Sequence, residues 1–273
     1  MTFFNPDSRI SPTVLATDLD GTLIPLPESK ENLASLDELK TKLGHSQKTL
    51  VYATGRHYES VQDAISEYNL PTPSWIVCDV GSSIYQNVDG TFQNFQPYED
   101  HLKKLAGGFN RNVVENLLRE IEPLELQPDD HQQAFKISYQ SKAELVEILV
   151  QQVNDLLEEK LLPFHCMGSL DPFLNCGLLD VMPQAVSKAY ALIWLSQHAD
   201  FTPDEVVYAG DSGNDLAALI SGFRAIVVSN HSKGLRQKVL ESLGSRGLAD
   251  RAYFADGRAS SGVLEGCRHF SLL

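Results

Sequence analysis

The chain has no long apolar run. No stretch of its 273 residues approaches the roughly 18 apolar residues of a membrane-spanning helix, so no membrane partner is expected. Basic charge is also in short supply. The 22 Lys and Arg stand against 36 Asp and Glu, a formal net charge of −14. Nucleic-acid backbones are held by clustered Lys and Arg, and this balance argues against such a partner. Whole-protein steering would likewise repel an anion. A phosphate ester would have to be attracted locally, by a divalent cation and one or two basic side chains. Cysteines are few and scattered: Cys78, Cys166, Cys176 and Cys267 form no C-x-x-C or His-Cys cluster. That argues against structural zinc and for buried free thiols. His45, His57, His165 and His198 show no ligand spacing. The first dozen residues lack the basic-then-apolar layout of a signal peptide. A soluble cytoplasmic protein, a monomer or small homo-oligomer, is the expectation.

A hydrophobic fraction of 42% can supply a proper core. At the start and end of the chain, short apolar runs alternate with helix-like segments. Val14 to Thr17, Thr49 to Ala53 and Trp75 to Cys78 read as strands. Ser29 to Leu43 and His57 to Tyr68 read as helices, and Ile84 to Phe92, with Asp89-Gly90 inside it, as a hairpin. The same rhythm returns with a helix from Ser187, strands at Val206 to Ala209 and Ala225 to Val228, and helices near Lys233 and Gly262. Continuous apolar strands between helices mean βαβ units and a parallel sheet covered on both faces. The middle differs. Ala134 to Gln140 alternates, with Phe135, Ile137 and Tyr139 on one side and Lys136 and Ser138 on the other. Ser141 to Glu144 reads as a capping box opening a helix striped with Val146, Leu149, Val153 and Leu157. Strands are expected near Leu161 to His165 and Leu178 to Val181. The architecture predicted is a Rossmann-like α/β core from residues 1–95 and 179–273, interrupted by an α+β cap at 96–178 that is open on one sheet face.

In open parallel sheets, ligands bind beyond the carboxyl ends of the strands. Four polar segments fall there. Asp18-Leu19-Asp20-Gly21-Thr22 follows the first strand, Thr54-Gly55-Arg56 the second, Ser187-Lys188 starts a helix, and Gly210-Asp211-Ser212-Gly213-Asn214-Asp215 follows a late strand. Asp18, the first polar group off its strand, suits a nucleophile that forms an acyl phosphate. Asp20, two residues on, can protonate the leaving alkoxide and later take a proton from water. Asp211 and Asp215 are spaced to face one cation, and hard oxygen ligands with a phosphate substrate favour Mg²⁺. Lys188 can neutralise the transferring group and Thr54 can bind a phosphate oxygen. Each segment alone has a plainer reading as an Asp-Gly turn, an Asx-turn or a helix cap. All four in this order, each at a strand-to-helix transition, is far more specific.

The four segments resemble the haloacid dehalogenase (HAD) superfamily of phosphohydrolases. YATGR at Tyr52 to Arg56, VGSSIY at Val80 to Tyr85, KISY at Lys136 to Tyr139 and the C-terminal GVLEGCRHF are similar to the sucrose-phosphate phosphatase group within it. The resemblance implies Asp18 as nucleophile, Asp20 as acid/base, and Mg²⁺ held by Asp18, the Asp20 carbonyl and Asp211, with Asp215 in support. It further implies Asn214 beside metal and phosphate, and Lys136 as a cap residue facing the sugar, although a lysine on the polar side of a strand is ordinarily solvated. Arg56 is open to two readings, a substrate contact or a helix cap. DLDGTL is the general superfamily form of the first motif, where the sucrose-phosphate group usually has Asn and then Thr-Trp after its second Asp. The stretch Cys166 to Cys176 is longer and more apolar than expected. The function implied is Mg²⁺-dependent hydrolysis of a small-molecule sugar phosphate, such as sucrose 6-phosphate, through an aspartyl phosphate. Two other readings use the same residues: a sugar phosphomutase, and a catalytically silent phosphosugar-binding regulatory module.

Overall fold

The computed structural model describes residues 10–107, 110–170 and 176–273. Residues 1–9, which carry most of the segment read for a signal peptide, lie outside them. Contacts divide the chain into two compact units, 1–94 with 187–273 and 95–186.

The first unit begins with β1 (Val14–Thr17), whose four residues are all buried. After a wide turn, Ser29 caps α1 (Lys30–Gly44) by accepting from the Asn32 N–H at 3.2 Å. Then come β2 (Thr49–Ala53), α2 (Tyr58–Glu67), β3 (Trp75–Cys78) and the hairpin β4 (Ser83–Val88) and β5 (Thr91–Asn94). Asp89 and Gly90 turn that hairpin with φ of 51° and 84°, the left-handed pair that matches strand twist.

The second unit opens with α3 (Gln96–Leu105) and α4 (Arg111–Leu118), followed by β6 (Glu125–Leu126), β7 (Ile137–Lys142), α5 (Val146–Glu159), β8 (Phe164–Leu170) and β9 (Cys176–Pro183). Its strands form an antiparallel sheet in the order β6-β7-β9-β8. Val114 and Leu118 of α4, Leu149, Val153 and Leu157 of α5, and Ile137, Tyr139, Leu179 and Val181 of the sheet make one buried cluster. On β8, an outer strand of this sheet, Asn154 of α5 accepts from the Cys166 N–H at 2.8 Å and donates to its carbonyl at 3.0 Å.

Two expectations need correction here. The return to the core, expected between 178 and 179, comes at 186/187. β9 is eight residues long and pairs with both β7 and β8, so a cut at 179 would pass through the middle of a strand. Ser141 does not cap a helix. It pairs with Gly177 inside β7, whose ladder runs through Lys142, and a short turn at 143–145 leads into α5 instead. The long Cys166 to Cys176 stretch belongs largely to the β8–β9 hairpin; its residues 171–175 lie outside those described.

The chain then completes the first unit with α6 (Lys188–His198), β10 (Val206–Gly210), the short α7 (Leu216–Leu219), β11 (Arg224–Val227), α8 (Leu235–Gly244), β12 (Ala252–Phe254) and α9 (Ala259–His269). The eight-stranded sheet has the order β12-β11-β10-β1-β2-β3-β4-β5, parallel from β12 to β3. Leu15, Tyr52, Ile76, Val207 and Ile226 pack it against Leu36, Leu39 and Val61 of α1 and α2 and Val263 of α9. From β1 the chain moves one way through β2 and β3, and from β10 the other way through β11 and β12. The crevice beyond the carboxyl ends of β1 and β10 is therefore a topological switch point. Among the described residues no helix is long and apolar enough to cross a membrane.

Replacing Asn154 with Ala should lower the unfolding free energy by about 1–3 kcal/mol, because the Cys166 backbone pair loses both side-chain partners. Gly81 has φ of 103°, and a Cβ there would lie 2.2 Å from the Ser187 carbonyl oxygen. Gly81→Ala should cost more than about 2 kcal/mol and displace the start of α6. Denaturant unfolding checks both, with Gly90→Ala as a control for positive φ without close neighbours.

Candidate active site

The end of β1 supplies the first two acids. Asp18 continues the strand ladder by donating its N–H to the Ala209 carbonyl at 3.0 Å, and its Oδ1 accepts from the Leu19 N–H at 2.8 Å. The chain then makes a wide turn over Leu19–Leu23, closed by the Ile24 N–H on the Leu19 carbonyl at 2.9 Å. Leu19 and Leu23 are driven into the core, which leaves Asp20 partly exposed between them. Gly21 has φ of 71°, and a Cβ there would fall 2.5 Å from Asp211 Oδ2. Only glycine lets this turn approach the acidic loop after β10.

That loop carries Asp211 and Asp215. Thr22 Oγ1 donates to Asp211 Oδ1 at 3.1 Å, joining the two turns. Asp215 Oδ2 accepts from the Asp211 N–H at 3.1 Å, the Ser212 N–H at 3.0 Å and Ser212 Oγ at 3.1 Å. Its Oδ1 accepts from Tyr208 OH at 2.6 Å and Lys188 Nζ at 2.8 Å. Lys188, at 0% exposure, also lies 3.0 Å from Asp18 Oδ1. The Ser187 hydroxyl caps α6 through the Tyr190 N–H, so it is the helix cap, and Lys188 is the residue that reaches the acids. Thr54 is fully buried, and its hydroxyl accepts from the Arg56 N–H at 3.2 Å. Asn214 Oδ1 accepts from Ser212 Oγ at 2.9 Å, and its Nδ2 lies near Gly55, beside Thr54. Asp18, Thr54, Lys188, Asp211, Asn214 and Asp215 thus converge at the switch point.

The electrostatics are unbalanced in one direction. Carboxylate oxygens of Asp18, Asp211 and Asp215 lie within 4.8 Å of one another and face a single ammonium. Burial pushes the Asp18 carboxyl well above its ordinary range, and the Asp215, Asp211 and Asp20 charges push it further against the pull of Lys188. Burial and Asp215 raise Asp211 to about 7. Burial opposes the charge on Lys188, but Asp18 and Asp215 outweigh it and hold the ammonium above its ordinary range. A cluster of hard oxygen donors with surplus negative charge suits a hard dication such as Mg²⁺. Asp18 and Asp211 fit as ligands. Asp215, with five protein donors on its two oxygens, fits better as the group that orders Asp211 and Lys188.

Two other expected residues are each paired with an aspartate. Arg56 is no helix cap: its guanidinium grips Asp20 in a bidentate pair. Lys136 is not a solvated strand residue. It is buried in the second unit, with Nζ 3.7 Å from Asp180 Oδ1, and Ser138 Oγ donates to that same oxygen at 2.7 Å. Two residues at the site have no counterpart in the sequence reading. Tyr208 is the single hydroxyl in an otherwise aliphatic strand, a signal that could have been read. Asn230 donates to the Gly21 carbonyl and accepts from the Ala259 N–H, each at 2.7 Å, and so ties the Leu19–Leu23 turn to the start of α9.

Comparison with known proteins gives the family. Residues 11–271 match the family model of sucrose-6F-phosphate phosphohydrolase. A protein of Nitrosococcus oceani described as a HAD-like hydrolase is 35% identical over 268 residues, 94% of this chain and 71% of its own length. A mannosylfructose-phosphate phosphatase of Agrobacterium fabrum is 24% identical over 270 residues, 95% of this chain and 97% of its own. Among solved structures, the sucrose-phosphatase of Synechocystis sp. PCC6803, in complex with sucrose and phosphate, superposes with a TM-score of 0.80 at 25% identity, covering 96% of this chain and 99% of that one. The chain belongs to the sucrose-6F-phosphate phosphohydrolase family of HAD phosphatases, and it is a phosphomonoesterase.

Proposed function

We propose that the protein hydrolyses the phosphomonoester of a disaccharide, with sucrose 6-phosphate or a close analogue as substrate, through a phosphoryl group carried on Asp18. The observation that carries this reading is the Asp18 carboxylate itself. The Leu19 N–H and Lys188 both contact Oδ1, which leaves Oδ2 as the oxygen that attacks. The disaccharide is supported by the family match and by the sucrose and mannosylfructose phosphatases among the similar proteins. The second unit, 95–186, acts in this reading as the cap that selects the sugar, with Lys136 and Asp180 as its polar pair.

The steps follow from the residues. Thr54, Lys188 and the Asn214 amide bind and orient the phosphate oxygens. Asp18 Oδ2 forms a bond to phosphorus as the bond to the sugar oxygen breaks, and Asp20 gives that oxygen a proton. Water then attacks the phosphorus of the aspartyl phosphate while Asp20 takes its proton. The Oδ2–phosphorus bond breaks, inorganic phosphate leaves and the Asp18 carboxylate is restored. Asp18, Asp211 and the Asp20 carbonyl would hold Mg²⁺, which would supply positive charge to offset the repulsion between carboxylate and phosphate.

Asp18→Asn should abolish turnover, by at least about a thousandfold, while leaving the thermal midpoint unchanged or raised. The sign of the stability effect follows from burial. A carboxyl whose folded pKa is raised opposes folding at neutral pH, and the neutral amide removes that cost. Activity above a trace in this variant would reject Asp18 as nucleophile. EDTA should abolish phosphate release, and Mg²⁺ should restore it. Mg²⁺ should also raise the thermal midpoint of the wild type more than that of Asp211→Asn. A panel of sucrose 6-phosphate, mannosylfructose phosphate, trehalose 6-phosphate, glucosylglycerol phosphate and simple hexose phosphates tests the sugar. Preference for a disaccharide phosphate is the expected outcome, and equal turnover of all of them would reject it.

A further inference from the structure

The turn after β2 carries a basic side chain for which the chemistry above has no use. Arg56 Nε donates to Asp20 Oδ2 and Nη2 to Asp20 Oδ1, each at 2.7 Å. The third nitrogen, Nη1, donates to the Ser60 hydroxyl at 3.1 Å and the Ser60 carbonyl at 3.3 Å, in the first turn of α2. The backbone is fixed as well. The Arg56 N–H donates to Thr54 Oγ1 at 3.2 Å, and its carbonyl accepts from the Asp79 N–H at 3.0 Å. Every polar part of this arginine is engaged.

The two side chains are 19% and 30% exposed, and a bidentate guanidinium–carboxylate pair adds orientation as well as energy. Asp20 sits in extended backbone, at φ −69° and ψ 127°, just before the positive φ of Gly21. Among the described hydrogen bonds, its carboxylate is held by Arg56 alone. A guanidinium fork fixes the plane and direction of a carboxylate, which a lysine ammonium cannot do. It occupies one lone pair on each oxygen and leaves another free to meet a proton.

The geometry points to Arg56 as a positioning residue for proton transfer, aiming Asp20 at the oxygen that leaves phosphorus, with Ser60 holding the fork in place. The inference rests on the assignment of Asp20 as acid/base above. Arg56 touches Asp20 rather than phosphate, so its loss should be felt where a proton must be delivered to a poor leaving group. An aryl phosphate, whose phenolate leaves unassisted, should be spared.

The test uses Arg56→Lys and Ser60→Ala in the full chain with Mg²⁺, and reads alcohol release in a single turnover as well as steady-state constants. For the preferred sugar phosphate, Arg56→Lys should lower kcat roughly tenfold to a hundredfold with KM within about twofold of wild type. Ser60→Ala should do the same to a smaller extent. Single-turnover release from p-nitrophenyl phosphate should fall much less than release of the sugar. A rise in KM at constant kcat would make Arg56 a substrate contact and overturn the inference. Equal losses for sugar and aryl esters would reduce it to a structural role and overturn it too, as would wild-type behaviour of both variants. Inactivity of the wild type on every ester would instead overturn the phosphatase reading on which the inference stands.

Discussion

The site is held together by one buried ammonium. Lys188 has no exposure and stands 3.0 Å from Asp18 and 2.8 Å from Asp215, two acids that come from opposite ends of the chain. An unpaired charge at that depth would be strongly destabilising, so the two acids are tolerable only beside the lysine. The position of the lysine depends in turn on backbone. Ser187 caps α6 so that Lys188 begins it, and the bare α-carbon of Gly81 lets the 79–81 turn pass against the Ser187 carbonyl. A substitution well away from the carboxylates can therefore disturb them through the lysine.

The turn between β1 and α1 performs two tasks with alternate residues. Leu19 and Leu23 belong to the core and fix the turn from below, while Asp18, Asp20 and Thr22 present oxygens on its other side. Three outside contacts fix it further: Arg56 grips Asp20, Thr22 reaches Asp211, and Asn230 donates to the Gly21 carbonyl. Elements on both sides of the switch point thus brace the same five residues. Polar groups held in this way would need little rearrangement to meet a phosphate. The surplus negative charge left after Lys188 is counted is what makes the cluster receptive to a dication.

Much of this was legible in the sequence because the determinants are local. Apolar runs such as VLAT and WIVC mark buried parallel strands, Asp89-Gly90 marks the hairpin, and acids directly after strands mark the ligand end of the sheet. What the sequence hid depends on partners distant along the chain. Arg56 reads equally as a substrate contact or a helix cap until Asp20, 36 residues away, is found opposite it. Tyr208 looks like a core residue until its hydroxyl meets Asp215. The capping-box pattern at Ser141 lost to the sheet, since pairing with Gly177 and Cys176 keeps Ser141 and Lys142 extended. For the same reason the end of the second unit is hidden in the sequence: the apolar alternation of β9 does not reveal which sheet it joins.

The contact between Asn154 and Cys166 has a consequence beyond the helix and strand it joins. One carboxamide presents a donor and an acceptor in the spacing of a neighbouring peptide, and it occupies both backbone groups of an outermost strand midway along its length. A foreign polypeptide seeking to extend the sheet there would find that rung already taken. A side chain from within the same unit thereby discourages edge-to-edge aggregation without spending a proline or a surface lysine on the task.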